Sequence, residues 1–101
     1  MISPTKRGRV SELLAEARFI EAGFEVFTNV SPDGPADLVV WDGINFYPID
    51  VKTVKKYVAK DGTISYHRPG NMTDGVLYLG YCLSNGLIWL SEPPEALSGV
   101  I

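Results

Sequence analysis

Three charged residues, Asp37, Asp50 and Lys52, lie in two strongly apolar segments that resemble buried β-strands. The segments are ADLVVW and INFYPIDVKTV, and the Asp42-Gly43 pair between them is a typical hairpin turn. Alternate side chains of a strand share a face, so Asp50 and Lys52 are expected to be neighbours. Pairing outward from the turn sets Asp37 opposite the region from Tyr47 to Asp50. We therefore expect two carboxylates and one ammonium group at one end of a sheet.

This combination of charges suits cation binding and the hydrolysis of phosphodiester bonds. Two carboxylates buried together repel each other unless they are neutralised, and a divalent cation does this well. Oxygen ligands of this kind favour Mg2+ or Mn2+. Beside such a cation, Lys52 can stabilise developing negative charge or help to orient and deprotonate a water molecule.

Taken one at a time, the same residues have ordinary structural interpretations. An aspartate at the start of a strand often caps a turn, and an Asp-x-Lys pair on an exposed strand is usually a solvated ion pair of little energetic consequence. These interpretations weaken when the three residues are considered together. Leu38, Ile49 and Val51 indicate buried strands, where an unpaired charge is costly.

An amphipathic helix precedes these strands and is predicted from about residue 9 to 22. Its apolar residues recur at helical spacing and are Val10, Leu13, Leu14, Ala17 and Ile20. Ser3-Pro4 is a suitable cap and first turn, and Gly23 is a suitable stop. Gly8 costs about 1 kcal/mol relative to alanine in a helix interior, so an irregular start is expected.

The strands that follow predict one α/β (α+β) domain over residues 1–101, with the helix packed on a mixed central sheet. FEVFTNV, ADLVVW and INFYPIDVKTV form a three-stranded meander, in which Pro48 predicts a bulge or a sheet edge. A second hairpin, around Asp61-Gly62, is expected to project from the sheet. A third joins VLYLGYCL to GLIWLS, and SEPPEAL is predicted to add a helical turn.

Composition indicates a folded protein, with 46% hydrophobic and 21% charged residues in a chain of 101. Cys82 cannot form an internal disulfide and is expected to be a buried thiol. No apolar run reaches the roughly 18 to 20 residues of a membrane span and no signal peptide is recognised, so we expect a cytoplasmic protein. The net charge of −3 argues against non-specific coating of nucleic acid, and all nine Lys and Arg residues lie at or before Arg68.

The order of these elements resembles the PD-(D/E)XK nuclease superfamily, especially its small Holliday-junction-resolvase-like members and its homing endonucleases. The matching motifs are GRVSELLAEARFIEAGFEVFTN, GPADLVV and YPIDVKT, which cover about residues 8 to 54. The resemblance implies a restriction-endonuclease-like core, here with β-hairpin additions. The chain departs from the family's pattern in reading Pro-Ala-Asp at the first acidic step, and in lacking a predicted helix after the strand that carries Lys52.

Carried over residue by residue, the resemblance implies a catalytic set of Glu12, Asp37, Asp50 and Lys52. Asp37 and Asp50 would bind Mg2+ or Mn2+, with the backbone carbonyl of Val51 and the Glu12 carboxylate as further ligands. Helical geometry supports Glu12 only partly, because it lies away from the centre of the apolar stripe. Glu16 lies nearer the border of the stripe and is the alternative, and a salt-paired helix surface would also account for both.

Basic residues flank these acidic positions, as binding of a phosphate backbone requires, although each could be an ordinary solvated side chain. The predicted nucleic-acid-binding residues are Lys6, Arg7, Arg9, Lys55, Lys56, Lys60, His67 and Arg68. One site cuts one strand, so a homodimer or a higher symmetric oligomer is expected. The apolar strands between residues 76 and 90, with Trp89, would form either its interface or the core.

The sequence therefore predicts a metal-dependent DNA endonuclease. A second hypothesis is a non-catalytic DNA-binding or assembly module that keeps a nuclease fold. A third is a small interaction domain with no role on nucleic acid.

Overall fold

The computed structural model describes residues 2–28, 34–66 and 70–101 of the chain. These residues form one α-helix, seven β-strands and one 3-10 turn. They are α1 (Pro4–Glu21), β1 (Glu25–Thr28), β2 (Leu38–Trp41), β3 (Phe46–Thr53), β4 (Lys56–Val58), β5 (Ile64–Tyr66), β6 (Leu77–Cys82), β7 (Gly86–Trp89) and a 3-10 turn (Glu95–Leu97). The three-stranded meander, the two later hairpins and the final helical turn are as predicted. No described helix is long and apolar enough to cross a lipid bilayer.

Helix α1 begins at Pro4 rather than near residue 9. The Ser3 hydroxyl accepts a hydrogen bond of 3.2 Å from the Lys6 N–H, which confirms the predicted cap. The helix continues through Gly8 without interruption. It ends at Glu21, two residues before Gly23, whose φ of +97° is easily reached only by glycine and whose N–H donates to the carbonyl of Ile20.

Five strands form one mixed sheet in the order β1-β2-β3-β6-β7. Neighbouring strands are antiparallel except for β3 and β6, which are parallel. Strands β4 and β5 form a separate two-stranded sheet. Among the described residues between β3 and β6, this hairpin stands where a crossover helix would be usual. The predicted fold class, a helix on a mixed sheet with β-hairpin additions, is confirmed.

Pro48 lies in a central strand without a bulge. It stays in register with Val39, while the carbonyl of the next residue, Ile49, accepts a hydrogen bond from the Asp37 N–H. Polar backbone groups of successive strand residues point to opposite edges, so the Pro48 nitrogen faces the β6 side. Pairing with β6 starts only at Ile49, opposite Leu77. Pro48 therefore occupies a locally unpaired edge, which was one of its two predicted positions.

Two hydrophobic clusters stabilise the sheet, one on each face. The cluster beneath α1 consists of Ala15, Phe19, Leu38, Val40, Ile49, Val51, Leu79 and Leu97. The second consists of Val54, Tyr78, Cys82 and Leu90, which confirms the buried thiol. Trp89 packs against the first cluster, edge to face with Phe19. Core packing thus accounts for Trp89.

Helix α1 contacts the sheet through a different face from its apolar stripe. Ser11, Ala15 and Phe19 are fully buried. The Ser11 hydroxyl donates to the Arg7 carbonyl and shares a 3.1 Å hydrogen bond with the Thr53 hydroxyl on β3. Most of the larger apolar residues that predicted the helix are exposed, by 41% at Val10 and 47% at Leu13. The stripe therefore identified the helix but not its buried face.

Candidate active site

Asp37 forms two hydrogen bonds to β3 at the open end of the β2–β3 hairpin. It lies just before β2, at the point where β3 extends beyond its partner strand. Its N–H donates to the Ile49 carbonyl at 2.9 Å, and its Oδ2 accepts from the Val51 N–H at 2.8 Å. The side chain thus adds one hydrogen bond to the ladder just before β2 begins at Leu38. This arrangement fixes the Asp37 carboxylate beside Asp50, as the hairpin register predicted.

Asp50 is a buried carboxylate with 8% of its surface exposed. The pKa of Asp50 is raised to about 6, chiefly by burial and also by its hydrogen bond with Asp37 and the negative charge of Asp37. Lys52 acts in the opposite direction, with its Nζ 3.2 Å from Asp50 Oδ2. One lysine does not compensate two carboxylates, so this end of the sheet favours an added positive charge.

Lys52 connects the acidic pair, of which Asp50 is buried, with the surface. Its side chain is 50% exposed, whereas that of Asp50 is 11% exposed. The ammonium group therefore remains accessible to a bound molecule while Asp50 holds it near the acidic pair. The predicted common orientation of Asp50 and Lys52 is confirmed by this ion pair.

The Val51 backbone faces the same end of the hairpin. In a strand, the N–H and carbonyl of one residue point to the same edge. Since the Val51 N–H donates to Asp37, its carbonyl also points towards the edge that β2 leaves uncovered. The carbonyl is thus oriented suitably for the ligand role that the resemblance implied.

Glu12 and Glu16 approach from α1 and share one arginine. Arg9 Nη1 lies 3.8 Å from Glu12 Oε1 and 3.7 Å from Glu16 Oε2. Burial raises the pKa of Glu12, and the negative charge of Asp37 raises it further. Glu12 is thus within electrostatic reach of the acidic pair. Glu16 Oε2 is buried and has no hydrogen-bond partner among the described residues.

The donor set fits a divalent cation in its chemistry, although the acidic side chains form a pair rather than a trio. Asp37, Asp50 and the Val51 carbonyl offer only hard oxygen ligands. Mg2+ is commonly bound through one or two carboxylates and keeps several of its waters. In the described ranges, no three His, Cys, Asp or Glu side chains are grouped closely enough to hold a metal ion. Glu12 is therefore a neighbour of the pair rather than part of a formed cluster.

Three of the predicted basic residues converge on a cavity of about 440 Å³. Arg7, Lys55 and Lys56 line it, together with the hydroxyl residues Thr53 and Ser84. The other basic positions lie elsewhere or are already paired. Lys6 is exposed on α1, Arg9 pairs with the two glutamates, Lys60 lies in the β4–β5 turn, and His67 and Arg68 lie outside the described residues.

No protein-family model and no curated protein sequence matches the chain. Among solved structures, the chain is similar to the bacterial homing endonuclease I-Ssp6803I, with a TM-score of 0.63 and 19% sequence identity. The similarity covers 94% of this chain and 85% of that one. The chain has a homing-endonuclease-like fold. At this identity, the similarity shows the shared architecture and leaves the residue roles to the geometry of the site.

We call the cavity lined by Arg7, Lys55 and Lys56 the basic cavity. The sequence did not predict that hydroxyl residues would line it in this homing-endonuclease-like fold. Thr53 ends β3 and Ser84 lies in the β6–β7 turn, so they meet only because β3 and β6 are parallel neighbours. Beyond β3, the Val54 N–H donates to the Tyr81 carbonyl and keeps the two segments together. Hydroxyl residues so far apart in sequence carry no spacing signal. The alternation of Asp50 and Lys52 was the signal that identified the acidic end.

Proposed function

We propose that the chain is a metal-dependent DNA endonuclease of the PD-(D/E)XK type that hydrolyses phosphodiester bonds. The observation that carries this proposal is the buried Asp50, which contacts Asp37 and Lys52 at the open end of the β2–β3 hairpin. The homing-endonuclease-like fold supports it, because the similar protein is a homing endonuclease. Substrate recognition would be structure-specific or of the homing or resolvase type.

Asp37, Asp50 and the Val51 carbonyl would hold Mg2+ or Mn2+. Such a cation would offset the negative charge that develops on the phosphate during hydrolysis. Asp37 keeps its carboxylate in place through the Val51 N–H. Asp50 positions Lys52 through their 3.2 Å contact. The Lys52 ammonium would donate to a phosphate oxygen or orient the attacking water, and its exposure leaves it free to do so.

Glu12 would assist this site from the helix, acting on the cation directly or through water. Its support is the effect of Asp37 on its pKa. Glu16 is the alternative, because its buried Oε2 lacks a hydrogen-bond partner among the described residues. Arg9 would then keep both carboxylates on one side of α1.

The basic cavity would bind the phosphate backbone next to the acidic end. Arg7, Lys55 and Lys56 supply the charge, and Thr53 links the cavity directly to β3, two residues after Val51. Lys6, Arg9, Lys60, His67 and Arg68 would add weaker contacts. Binding through these residues should weaken steeply with salt, since each phosphate contact releases counterions. Cutting both strands of a duplex would require two copies of the site.

One observation favours a second candidate, a non-catalytic DNA-binding or assembly module with a nuclease fold. Glu12 does not join Asp37 and Asp50 in a three-carboxylate group among the described residues. A module of this kind would bind DNA equally well with and without chelator. Calorimetry at millimolar Mn2+ separates the two candidates, because only the enzyme is expected to bind the metal.

A cleavage assay on linear, supercoiled, forked and four-way DNA with Mg2+ and Mn2+ tests the proposal. We expect cleavage of at least one substrate by the wild type. Asp37→Ala, Asp50→Ala and Lys52→Ala should each lower the rate on the order of 100-fold or more, because the first two remove ligands of the cation and the third removes the ammonium group beside the reacting phosphate. Asp42→Ala is the matched control, since it removes an aspartate from the other end of the same hairpin. Full activity of Asp50→Ala would overturn the site.

A further inference from the structure

The outward face of α1 carries an apolar surface that the described residues leave exposed. We name this surface the α1 stripe, which consists of Val10, Leu13, Leu14, Ala17 and Ile20. Leu14 is 41% exposed and Ile20 is 59% exposed, in keeping with Val10 and Leu13. The sheet takes up the opposite side of the helix, through Ser11, Ala15 and Phe19. The most regular apolar pattern in the helix therefore faces outward.

The spacing of the α1 stripe is that of a helix-packing seam. Steps of three and four residues lead from Val10 through Leu13 or Leu14 to Ala17 and Ile20. This alternation keeps the side chains on one line along the helix and is the repeat found where two helices pack. Ala17, small and near the middle of the stripe, allows a second helix to approach closely.

Charges at the two ends of the α1 stripe make it complementary to itself. Lys6 lies in line with the stripe at its N-terminal end, and Glu21 borders its C-terminal end. Two parallel copies of α1 would bring like charges together at both ends. In an antiparallel pair with the dyad between Leu13 and Leu14, Lys6 of each copy lies level with Glu21 of the other. The same register sets Val10 level with Ala17.

We propose that the α1 stripe is the interface of a symmetric dimer, in which α1 packs antiparallel against α1 of a second copy. The two-fold arrangement is self-complementary in shape and charge, as an isologous interface requires. Glu12 lies more than about 100° around the helix from the centre of the stripe, so the dimer leaves the acidic side of the helix open. The dimer does not depend on whether the chain cleaves DNA.

The size of the contact sets the strength to be expected. A helix of 18 residues is about 27 Å long, so a single helix pair lies towards the lower end of specific interfaces. We expect a reversible dimer with a dissociation constant in the range of roughly micromolar. It should therefore be observed by concentration series rather than at one concentration.

Sedimentation equilibrium over a hundredfold range, roughly 2 to 200 micromolar, tests the interface. The wild type should shift from monomer to dimer, and Leu13→Glu should remain monomeric throughout. Ile44→Glu is the matched control, because Ile44 is 85% exposed but belongs to the β2–β3 turn rather than to α1, and it should dimerise as the wild type does. Circular dichroism verifies that each variant is folded. A wild type that stays monomeric, or a Leu13→Glu variant that dimerises normally, would overturn the proposal.

Charge exchange tests the antiparallel register. Lys6→Glu and Glu21→Lys should each weaken the dimer several-fold, because each places like charges together at both ends. The double variant should recover most of the wild-type affinity, since both pairs are restored with reversed sign. A double variant as weak as the two single ones would rule out the antiparallel register. Sedimentation is measured without DNA, so this result stays separate from the nuclease proposal, in which Lys6 is a weak DNA contact.

Discussion

Asp42 and Asp50 lie at opposite ends of the same β2–β3 hairpin, and their carboxylates are in opposite environments. At the turn, Asp42 Oδ1 accepts hydrogen bonds from the N–H groups of Ile44 and Asn45, and its Oδ2 accepts one from the Tyr47 hydroxyl at 3.0 Å. The hydrogen bonds from Asn45, Ile44 and Tyr47 lower the pKa of Asp42. At the open end, burial and the neighbouring Asp37 raise the pKa of Asp50 to about 6.

The contrast distinguishes Asp42, whose negative charge is stabilised by neighbouring donors, from Asp50, whose negative charge is not sufficiently compensated by its neighbours. Asp42 obtains all of its donors from the next five residues, so its charge is stabilised by the turn that it helps to form. Asp50 lies beside the carboxylate of Asp37, and one lysine, Lys52, pairs with it from the solvent side. An ionised Asp50 would be more stable with a cation from outside the chain, which is why we propose the open end as the functional one.

The largest effect that separates the two ends is expected from a divalent metal. Mn2+ or Mg2+ should stabilise the wild type against heat, by about 2.7 kcal/mol at a free concentration of 100 times the dissociation constant. Asp50→Asn should lose this stabilisation because it removes an anionic ligand, whereas Asp42→Asn should keep it. Differential scanning calorimetry with and without chelator measures both. Equal stabilisation of the Asp50→Asn protein would place the metal elsewhere.

The open end could be predicted from the sequence because its geometry is local. The Asp42-Gly43 turn fixes the hairpin register, and Gly43 adopts the positive φ of +101° that such a turn favours. From that register, Asp37 must lie near Asp50. Two-residue alternation then places Lys52 on the same side as Asp50, and their ion pair confirms this.

Features that depend on distant contacts could not be predicted in the same way. The buried face of α1 consists of Ser11, Ala15 and Phe19, of which only Phe19 is large and apolar. Ser11 belongs there because Thr53, in another element, forms a hydrogen bond with its hydroxyl. The basic cavity likewise depends on the parallel pairing of β3 with β6. No local pattern in the sequence reports such a pairing.

A smaller effect is expected in metal-free protein, where the contributions of Asp50 and Asp42 to the free energy of unfolding change with pH in opposite directions. The folded-state pKa of Asp50 lies above its ordinary value of 3.8, so folding favours the protonated form. Its contribution to stability is present below pH 3.8 and is lost as the pH rises through about 6. The pKa of Asp42 is lowered, so its contribution is present above its ordinary value and is lost as the pH falls below it.

Urea denaturation across this pH range, with chelator present, measures the two contributions. Asp50→Asn cannot titrate at position 50, so its stability relative to the wild type should increase as the pH rises from about 3.8 to about 6. Asp42→Asn should show its largest deficit above pH 3.8 and a smaller one below it. Parallel curves for the wild type and Asp50→Asn would mean that the Asp50 carboxyl has an ordinary pKa in the folded protein.

The smallest effect is expected from Tyr47→Phe, which removes one hydrogen bond to Asp42 and leaves the ring in place. Asp42 keeps its two backbone donors, so the turn should persist, with a slight fall in the free energy of unfolding measured in urea. DNA cleavage and metal binding should be unchanged, because Tyr47 does not contact the acidic pair through this hydrogen bond. Combining Tyr47→Phe with Asp42→Asn tests whether the two residues act together, since a shared interaction makes their effects less than additive. A strong loss of cleavage in Tyr47→Phe would show instead that the turn and the open end are coupled through β3, and that the two ends of the hairpin do not act separately.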